Sequence, residues 1–341
     1  MGLLGNLGIL IFLTVSLLLS CLLSLSDGPV FIPLDRVILL LSGSIDGTDI
    51  ESVIIFEIRL PRVVLAALVG AALSQSGAVM QSLFQNPMAD PYIVGVSSGA
   101  GLGATLAFVF GINTWYGGIS SVTACAFLGA LFVTMVVYTV SMRGGRLPIA
   151  TVLLTGIAIG ALASAATSFF MISGKNPFDM QRIVFWLMGS FASRGWEHVG
   201  TIWLPLLVAA TYIQFLSRDI NVLLQGEETA LYLGVNVEGI KRRLLISASV
   251  LTALAVSVSG IIGFVGLIVP HLMRLVVGSD QRWLSPSCLL TGAMLLVLAD
   301  WLARSAMGIS EIPVGIVTAF LGCPFFLYLL GRRQKTNSLN E

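Results

Sequence analysis

The most suggestive catalytic pattern is GVSSG at 95–99, which matches the G-x-S-x-G turn that carries the nucleophile of many serine hydrolases. His271 and Asp300 offer a base and an acid for Ser97. That turn follows a strand, whereas 95–99 opens a glycine-rich apolar segment, and the chain order Ser, His, Asp also differs from that of hydrolases with this turn. We therefore expect no catalytic residue, and an intramembrane serine hydrolase stays open only as an alternative.

A second glycine pattern, GAGLGA at 99–104, fits the loose dinucleotide-binding motif G-x-G-x-x-A. That motif needs an acidic residue about 20 positions later to hold the ribose, and the sequence has no Asp or Glu between Asp90 and Asp179. No G-x-x-x-x-G-K-[ST] phosphate-binding loop is present, so this chain is not expected to hydrolyse ATP. His198 and His271 lack neighbours at ligand spacing, so we expect no metal site and no bound cofactor.

The composition is that of an integral membrane protein. Hydrophobic residues make up 56% of the chain and charged residues 10%, with a mean hydropathy of +0.96, whereas soluble domains carry about 25% charged residues. The four cysteines lie far apart in apolar segments and are interpreted as small hydrophobic residues. The net charge of +1, without a basic tract, gives no indication of nucleic-acid binding.

Apolar segments of about 20 residues predict about ten membrane-spanning helices in one membrane domain that covers 1–341. The predicted spans are 7–26, 63–82, 92–111, 118–141, 149–172, 199–216, 244–262, 264–277, 284–306 and 312–331. The eighth is short and is interrupted by Pro270, His271 and Arg274. The segment 183–191 is too short to cross and is predicted to be a re-entrant or interfacial helix. The first span lacks the features of a cleaved signal and is expected to be retained.

The distribution of Lys and Arg predicts the orientation. With the N-terminus inside, 11 of these residues fall on the inner side and 7 on the outer side, and cytoplasmic loops carry the excess of positive charge. The tight clusters at 241–243 and 332–335 are both on the inner side. We therefore expect a multi-pass protein of the cell membrane with both termini in the cytoplasm.

The most polar stretch, 217–243, holds eight charged residues in 27 positions and is predicted to face the cytoplasm. Glu227 and Glu228 follow Gly226, and acidic residues suit the first turn of a helix, where the backbone dipole favours negative charge. Gly234 is a plausible end for this short helix. The stretch is either an ordinary loop or a docking surface for a soluble partner.

Small residues recur every four positions in two spans, at Gly70 and Ser74 and at Gly156, Gly160 and Ser164. Such faces allow close approach of helices in lipid. Internal packing is the simpler interpretation, and lining of a path remains open.

Asp300 and Arg304 are four residues apart in an apolar segment. Charges in the membrane are costly, and this spacing allows the pair to neutralise itself. A structural pair and a transport relay both remain open. The sequence has few other buried carboxylates to offer, which weakens an ion-coupled carrier without excluding it.

Three groups of residues occur in order along the chain. The first is RLPR at 59–62 with the following segment 63–104, the second is LLQGEETALYLGVNV at 223–237, and the third comprises 263–278, 298–304 and 311–330. Together they resemble the FecCD-type permease family of ABC importers for iron-siderophores, haem and vitamin B12, a group of type II importers. The resemblance covers about 58–330.

The resemblance implies an all-α membrane protein of ten transmembrane helices per subunit, with short cytoplasmic coupling helices. It also implies a homodimer in membrane lipid with the path along its axis, two ATP-binding cassette subunits that use the ATP, and an extracytoplasmic substrate-binding protein. The family's coupling helices match the stretch 217–243. There it implies an ATPase contact at Gly226, Glu227, Glu228, Leu233 and Gly234.

Other family positions match residues elsewhere in the chain. Arg59, Arg62 and Arg304 match positions that dock the binding protein, and interfacial anchoring is the alternative for the first two. The cytoplasmic gate matches Asn86, Pro87, Met88, Ile149 and Ala150, where some relatives carry hydroxyl residues in the second segment. The resemblance suggests a path lined by Thr167, Ser168, Met171, Phe185 and Met188.

The function implied is the transport of a bulky metal chelate into the cytoplasm by the permease subunit of a binding-protein-dependent ABC importer. An iron-siderophore is the favoured substrate, with cobalamin second and haem third. An ion-coupled carrier and an intramembrane serine hydrolase remain the alternatives from other classes.

Overall fold

The computed structural model describes residues 3–44, 49–112, 114–116, 118–174, 176–306 and 311–337. The helices are α1 (Leu3–Ser26), α2 (Leu34–Leu41), α3 (Asp49–Val53), α4 (Leu60–Leu83), α5 (Val96–Val109), α6 (Ser121–Ser141), α7 (Ile149–Ser173), α8 (Pro177–Leu187), α9 (Trp196–Phe215), α10 (Ser217–Leu223), α11 (Glu227–Tyr232), α12 (Val237–Ser259), α13 (Val265–Val277), α14 (Gln281–Ser305) and α15 (Val314–Asn337). A π-helical turn, Ile54–Arg59, joins α3 to α4, and a 3-10 turn, Pro91–Val94, precedes α5. The strands β1 (Trp115–Tyr116) and β2 (Ile119–Ser120) form a small antiparallel hairpin.

The fold is all-α, and ten of its helices correspond to the ten predicted spans. Within the described ranges, six of them are long and apolar enough to cross a membrane, namely α1, α6, α7, α9, α12 and α14. The apolar helices α5 and α13 and the apolar part of α15 are shorter. Helix α13 has 13 residues and is about 20 Å long, less than the hydrocarbon core of a bilayer. The predicted eighth span is therefore a helix that does not cross by itself.

Helix α4 lies at the centre of the molecule. It is 24 residues long, and it packs antiparallel against α14 and also contacts α12, α13 and α9. Its polar side chains bond to neighbouring helices: Gln75 Nε2 donates to the carbonyl of Ala210 at 3.1 Å and to Ser285 Oγ at 2.9 Å. Polar groups in lipid must find partners within the protein, and this explains how so polar a helix can be buried.

The contacts between α4 and its neighbours depend on glycine. A Cβ atom at Gly70 would overlap the carbonyl of Gly292 in α14, and one at Gly77 would overlap the backbone of Gly266 in α13. The packing interpretation of Gly70 is confirmed. Ser74, one turn further along α4, donates through Oγ to the carbonyl of Cys288 at 2.5 Å.

A second group of helices, α5, α6 and α7, packs through glycines in the same way. Gly99 and Gly103 of α5 lie against the backbone of Gly129 and Cys125 in α6. Gly156 of α7 lies against the carbonyl of Ile93. The G-x-G-x-x-A pattern therefore serves helix packing, and Gly156 is likewise a packing residue.

Helix α8 overlaps the segment 183–191 that was predicted to be a re-entrant or interfacial helix, although it begins at Pro177 and ends at Leu187. Its end meets the turn between α12 and α13 and the start of α15. Gly189 and Gly260 have φ of +72° and +71°, and side chains there would overlap the carbonyls of Ile261 and Trp186. The amide of Ser190 donates to the carbonyl of Ser259 at 2.8 Å. Helix α8 is thus held by backbone contacts inside the protein.

The bundle has two ends, named here after α11 and Arg62. The α11 end comprises α10, α11, the end of α4 and the starts of α7, α12 and α14. The Arg62 end comprises the start of α4 and the ends of α1 and α14. The antiparallel register of α4 and α14 defines the two ends through three pairs: Arg62 with Asp300, Ser74 with Cys288, and Ser82 with Gln281.

Candidate coupling surface, gate and cavity

Helix α11 confirms the short helix predicted in 217–243. It starts at Glu227, directly after Gly226, whose φ is +108°. Glu227 and Glu228 occupy its first turn, and Gly234 follows its end with φ of +77°. Only glycine adopts such angles readily, so the two glycines set the length of the helix.

An exposed apolar cluster, Leu231, Tyr232 and Leu233, lies at the end of α11. These side chains are 61%, 92% and 65% exposed, while Ala230 just before them is fully buried. An apolar cluster exposed on a polar surface marks an interaction site. The sequence prediction named Leu233 and missed the other two, although the apolar residues flanking Tyr232 were visible. Glu228 and Gly234 are also exposed.

Glu227 has a different environment from the rest of the predicted coupling residues. Its Oε2 lies 2.6 Å from Nζ of Lys241 in α12, a lysine that is almost completely buried. Glu227 is therefore engaged within the chain, and a contact with a partner would have to share it with this ion pair.

Helix α10 is fastened to the start of α14. Asn221 Nδ2 donates to Asp280 Oδ1 at 2.7 Å, and Asn221 Oδ1 accepts from the amide of Gln281 at 2.8 Å. The guanidinium of Arg282 also binds Asp280, at 2.6 to 3.1 Å. The hydrogen bonds from Arg282 hold the pKa of Asp280 at about 2, below its usual value.

Both predicted gate segments lie at the α11 end. Asn86 Oδ1 accepts from the amide of Met88 at 3.0 Å, which forms a tight turn around Pro87 after α4. Ile149 and Ala150 are the first residues of α7. The structure therefore brings the two segments to the same end as α11.

An apolar cavity of about 500 Å³ lies where α8 ends. Its lining consists of Leu187, Met188, Ile261, Gly315, Ile316, Ala319, Phe320, Cys323 and Pro324. Met188, one of the five predicted path residues, is among them.

The other predicted path residues are divided between different environments. Phe185 lines a separate cavity of about 410 Å³ together with Arg182, Trp186 and Arg194. Thr167 is buried and donates to the carbonyl of Ala163 in its own helix at 2.9 Å. Thr167 is therefore less accessible than Ser168, the next residue on the same helix.

Ser168 is exposed on α7 and donates to the carbonyl of Ser164 at 3.1 Å. Met171 is half-buried near the end of the same helix. Both side chains remain available to a path, as the resemblance implies.

The three predicted docking arginines are buried at the Arg62 end. Arg59 donates through Nη1 to the carbonyls of Leu25 at 2.6 Å and Ser26 at 3.0 Å. Arg62 pairs with Asp300 at 2.8 Å and with Glu311 at 2.9 Å. In this structure, therefore, Arg59 and Arg62 connect helices and loops of the chain and are not presented to a partner.

Arg304 donates through Nη2 to Oγ of Ser24 at 2.7 Å, and its Nε lies 3.2 Å from Oδ2 of Asp300. The Asp300–Arg304 pair is therefore a structural pair that also includes Arg62. In this structure Arg304 and Asp300 are both buried and engaged within the chain, which favours the structural pair.

The serine hydrolase alternative lacks an assembled site. Arg274, three residues after His271 on α13, donates to Oε1 of Gln81 at 3.0 Å. Asp300 pairs instead with Arg62, 19 residues before Gln81, which is about 28 Å along α4. The base and the acid are thus near opposite ends of the bundle.

The family model of the FecCD transport family matches residues 16–332 of the chain. The chain belongs to the FecCD transport family. This confirms the resemblance seen in the sequence, and it makes the protein a multi-pass membrane permease, a transport component rather than an enzyme.

Two permeases from other organisms are similar to this chain in sequence. The cobalamin import system permease protein BtuC of Halobacterium salinarum is 48% identical over 286 residues, which cover 84% of this chain and 75% of that protein. The hemin transport system permease protein HmuU of Yersinia pestis is 42% identical over 291 residues, covering 83% and 84%.

The fold also matches a solved structure, described as an inward-facing conformation of a metal-chelate type ABC transporter. The TM-score is 0.84 at 33% identity, and the match covers 95% of this chain and 99% of the other. This FecCD protein is therefore an ABC importer permease of the group that carries vitamin B12, haem and other metal chelates.

Proposed function

We propose that this FecCD protein moves a metal chelate into the cytoplasm as one of two identical permease subunits, with ATP hydrolysed on separate subunits. The observation that carries the proposal is the exposed apolar cluster of Leu231, Tyr232 and Leu233 on α11. A permease that works alone has no need of such a cluster on a polar surface, whereas a soluble ATPase that drives transport must contact the permease there.

The energetic argument supports a contact at α11. ATP hydrolysis can drive transport only if the ATPase binds one permease conformation more tightly than the other. Helix α11 is tied to α12 through Lys241, and α10 is tied to α14 through Asn221. A force applied at α11 therefore reaches helices of the membrane bundle. We assign the ATPase contact to Gly226, Glu228, Gly234 and the apolar cluster.

The proposed orientation places the α11 end in the cytoplasm and the Arg62 end outside, with both termini cytoplasmic. The clusters of Lys and Arg at 241–243 and 332–335 support this direction. A substrate-binding protein would then approach the Arg62 end. Because Arg59, Arg62 and Arg304 are buried, we propose that exposed charged side chains such as Arg36 and Glu57 contribute to that contact.

The proposed path includes the cavity lined by Met188, Phe320 and Cys323, with the gate at Asn86, Pro87, Met88, Ile149 and Ala150. The lining of the cavity is almost entirely apolar, which suits the passage of a bulky chelate that must be bound weakly. Ser168 and Met171 of α7 extend the same path in the proposal.

The proposed substrate is a metal tetrapyrrole, with cobalamin preferred over haem. The names of the BtuC and HmuU relatives support this class, because cobalamin and hemin are both macrocyclic metal chelates. The expectation of an iron-siderophore is not confirmed and remains a prediction.

The test is uptake into proteoliposomes that contain the permease with its ATPase, and the cognate binding protein. Radiolabelled cobalamin, hemin and a ferric siderophore are offered separately. We expect ATP-dependent uptake of cobalamin, and mass spectrometry of the purified binding protein should find the same ligand.

Uptake that persists without the ATPase would overturn the proposal and support an ion-coupled carrier. Uptake of the siderophore alone would overturn the substrate assignment and leave the transport function standing. Ser97→Ala should leave uptake unchanged, because the proposed mechanism uses no nucleophile.

A further inference from the structure

Lys241 is unusual among the charged residues at the α11 end because it is 3% exposed, whereas its neighbours Arg242 and Arg243 are exposed. A buried ammonium group is tolerated when opposite charges and hydrogen-bond acceptors surround it. The position of Lys241 therefore depends on the groups that it binds, and these come from two different parts of the protein.

The first of these groups is Glu227. Its Oε2 is 2.6 Å from the Nζ of Lys241, and it is the first residue of α11, the helix that carries the exposed apolar cluster. The second is Glu238, one turn before Lys241 on α12, with Oε1 at 3.2 Å from the Nζ. Lys241 thus bridges the carboxylates of α11 and α12.

Glu238 also contacts the segment that precedes α7. Its second oxygen, Oε2, accepts a hydrogen bond from the amide of Leu147 at 2.7 Å. Leu147 is itself buried and lies two residues before Ile149, the first residue of α7. One carboxylate thus joins Lys241 to the segment that enters α7.

The segment before Leu147 is well placed to move as a unit. Arg143 and Arg146 exchange two backbone hydrogen bonds of 3.0 Å around Gly144 and Gly145. Both glycines have positive φ, +57° and +78°, which closes a tight turn. Only Pro148 separates Leu147, which contacts Glu238, from the start of α7, so the chain between them is short.

We propose that Lys241 is a positioning residue that transmits displacement of α11 to the start of α7, through Glu227 on one side and Glu238 with Leu147 on the other. The inference rests on the proposed function, in which the ATPase moves α11 and Ile149 and Ala150 form part of the gate. Coupling of this kind needs a contiguous set of contacts that move between two arrangements together. The ion pairs of Lys241 with Glu227 and Glu238 form such a set of contacts between α11 and the segment before α7.

In this proposal Glu227 acts through Lys241 and does not bind the ATPase directly. If Glu227 bound the ATPase directly, its loss would weaken assembly of the complex. If it acts through Lys241, assembly stays intact and only the transport achieved per ATP falls. The variant Glu227→Gln separates these cases, and Lys241 keeps Glu238 as a partner in it, so that the fold is spared an uncompensated charge.

A second route to the bundle runs from α10 to α14 through Asn221 and Asp280. This route bypasses Lys241 and α7. Asn221→Ala is therefore a second control: it breaks a contact at the same end of the molecule that is not on the proposed route. This variant should not alter the labelling of α7.

The experiment uses the full complex in proteoliposomes, with the binding protein, and compares wild type, Glu227→Gln, Lys241→Met and Lys241→Arg. Arg242→Met is the matched control, since it removes a neighbouring exposed charge. Three quantities are measured: the ATPase subunit retained on purification, the uptake per ATP hydrolysed of the chelate that the wild type transports, and, in a Cys323→Ser background, the labelling of Ile149→Cys by a thiol reagent with and without ATP.

We expect the wild type and all five single variants, Asn221→Ala included, to retain the ATPase subunit. Uptake per ATP should fall by about tenfold in Lys241→Met and Glu227→Gln, in the range usual for coupling between sites, while Arg242→Met should behave as wild type. Labelling at position 149 should lose its response to ATP in the two affected variants. Lys241→Arg should recover part of both, because arginine can also bridge two carboxylates.

The double variant Glu227→Gln with Lys241→Met tests whether the two residues act through the same contact. If the two residues work through one contact, the double variant should be no worse than Lys241→Met. Normal uptake per ATP and normal ATP-dependent labelling in Glu227→Gln would overturn the inference, and loss of the ATPase subunit from this variant would do the same.

These outcomes are distinguishable from failure of the proposed function. In that case the wild-type complex would itself show no ATP-dependent uptake of any chelate. If only the inference fails, the wild type transports and responds to ATP, and Glu227→Gln does so equally well.

Discussion

The guanidinium of Arg62 donates through Nε and Nη2 to the carboxylate of Asp300, with Nη2 2.8 Å from Oδ1 and Nε 3.0 Å from both oxygens. The two residues are 238 positions apart and both are buried. Arg62 also reaches Glu311, and Arg304 lies on the other side of Asp300. Two arginines and two carboxylates thus balance each other and join α4 to α14 at the Arg62 end.

Asp300→Asn should destabilise the protein strongly. The change leaves Arg304 without a carboxylate and Arg62 with Glu311 alone, and removal of one partner from a buried pair costs about 3–5 kcal/mol. We expect a lower unfolding temperature of the purified protein in detergent. Arg36→Gln is the control, because the Arg36–Glu51 pair at 3.8 Å is more exposed and should contribute no more than about 1 kcal/mol.

Two further variants, Arg62→Gln and Arg304→Gln, address the docking role that the family resemblance implied for these arginines. If they keep wild-type stability but lose affinity for the binding protein, the arginines serve docking, and the structural role assigned to them is wrong.

Gly77→Ala should force α4 and α13 apart, since a Cβ atom at Gly77 would overlap the backbone of Gly266. Overpacking of this kind costs about 1–3 kcal/mol, and we expect a lower unfolding temperature. Gly200→Ala in α9 is the matched control, because no atom lies within 4 Å of its Cβ position and alanine favours helix. Equal unfolding temperatures for the two variants would contradict the close contact of α4 with α13.

Tyr232→Ala should weaken binding of the ATPase subunit without changing the stability of the permease. The side chain is 92% exposed, so its loss creates no cavity, whereas a central aromatic residue of an interface contributes about 2 kcal/mol, or roughly thirty-fold in affinity. The measurement is titration of the detergent-purified permease with its ATPase subunit. Tyr212→Ala, on an exposed side of α9, is the control. Wild-type affinity in Tyr232→Ala would show that the contact is elsewhere.

Modification of Cys323 should block transport. Its thiol is exposed and lines the proposed path, whereas Cys288 is buried and Cys21 and Cys125 are half-buried. A bulky maleimide on Cys323 would fill much of the apolar cavity, and uptake should fall towards background. Cys323→Ser should transport normally and be insensitive to the reagent. Full uptake by protein that is labelled at Cys323 would place the path elsewhere.

The environment of Asp280 predicts a pH dependence of stability. Its pKa is lowered to about 2, first because Arg282 donates hydrogen bonds to the carboxylate. A carboxyl with a lowered pKa in the folded state stabilises the protein above its ordinary pKa and loses this contribution as the pH falls towards 2.

We therefore expect the unfolding temperature of wild type to fall more between pH 5 and pH 3 than that of Asp280→Asn, which has no carboxylate to protonate. Parallel curves for the two proteins would contradict the assignment. Asp179→Asn provides the comparison, since Asp179 lies 3.8 Å from its arginine partner, Arg182, in a weaker pair.

Much of the fold could be predicted from local chemistry. Apolar runs identified the ten helices, and six of them within the described ranges are long enough to cross a membrane. The short eighth span with Pro270 inside is a short helix. Acidic residues after Gly226, followed by Gly234, predicted α11. Each of these features depends on residues close together in the sequence, so hydropathy, helix dipoles and glycine angles are sufficient to find them.

The tertiary structure decided the partners of the charged residues. Arg62 looked like a surface group for docking because the family resemblance gives that role to its position, and the fold buries it against Asp300. Glu227 looked like a contact for a soluble partner, yet its carboxylate meets Lys241. Thr167 looked like a path residue, and the packing around α7 leaves its side chain buried, whereas Ser168 next to it is exposed.

The physical reason is the same in each case. A sequence displays the charge, size and polarity of a side chain together with its immediate neighbours, which determine helices and their ends. Burial and ion pairing depend on which helix faces which, and in this protein that is set by the antiparallel register of α4 and α14 and by the close contacts at Gly70 and Gly77. The sequence by itself therefore determined the class of protein and its helices, and only the packing decided which charged groups remain available to partners.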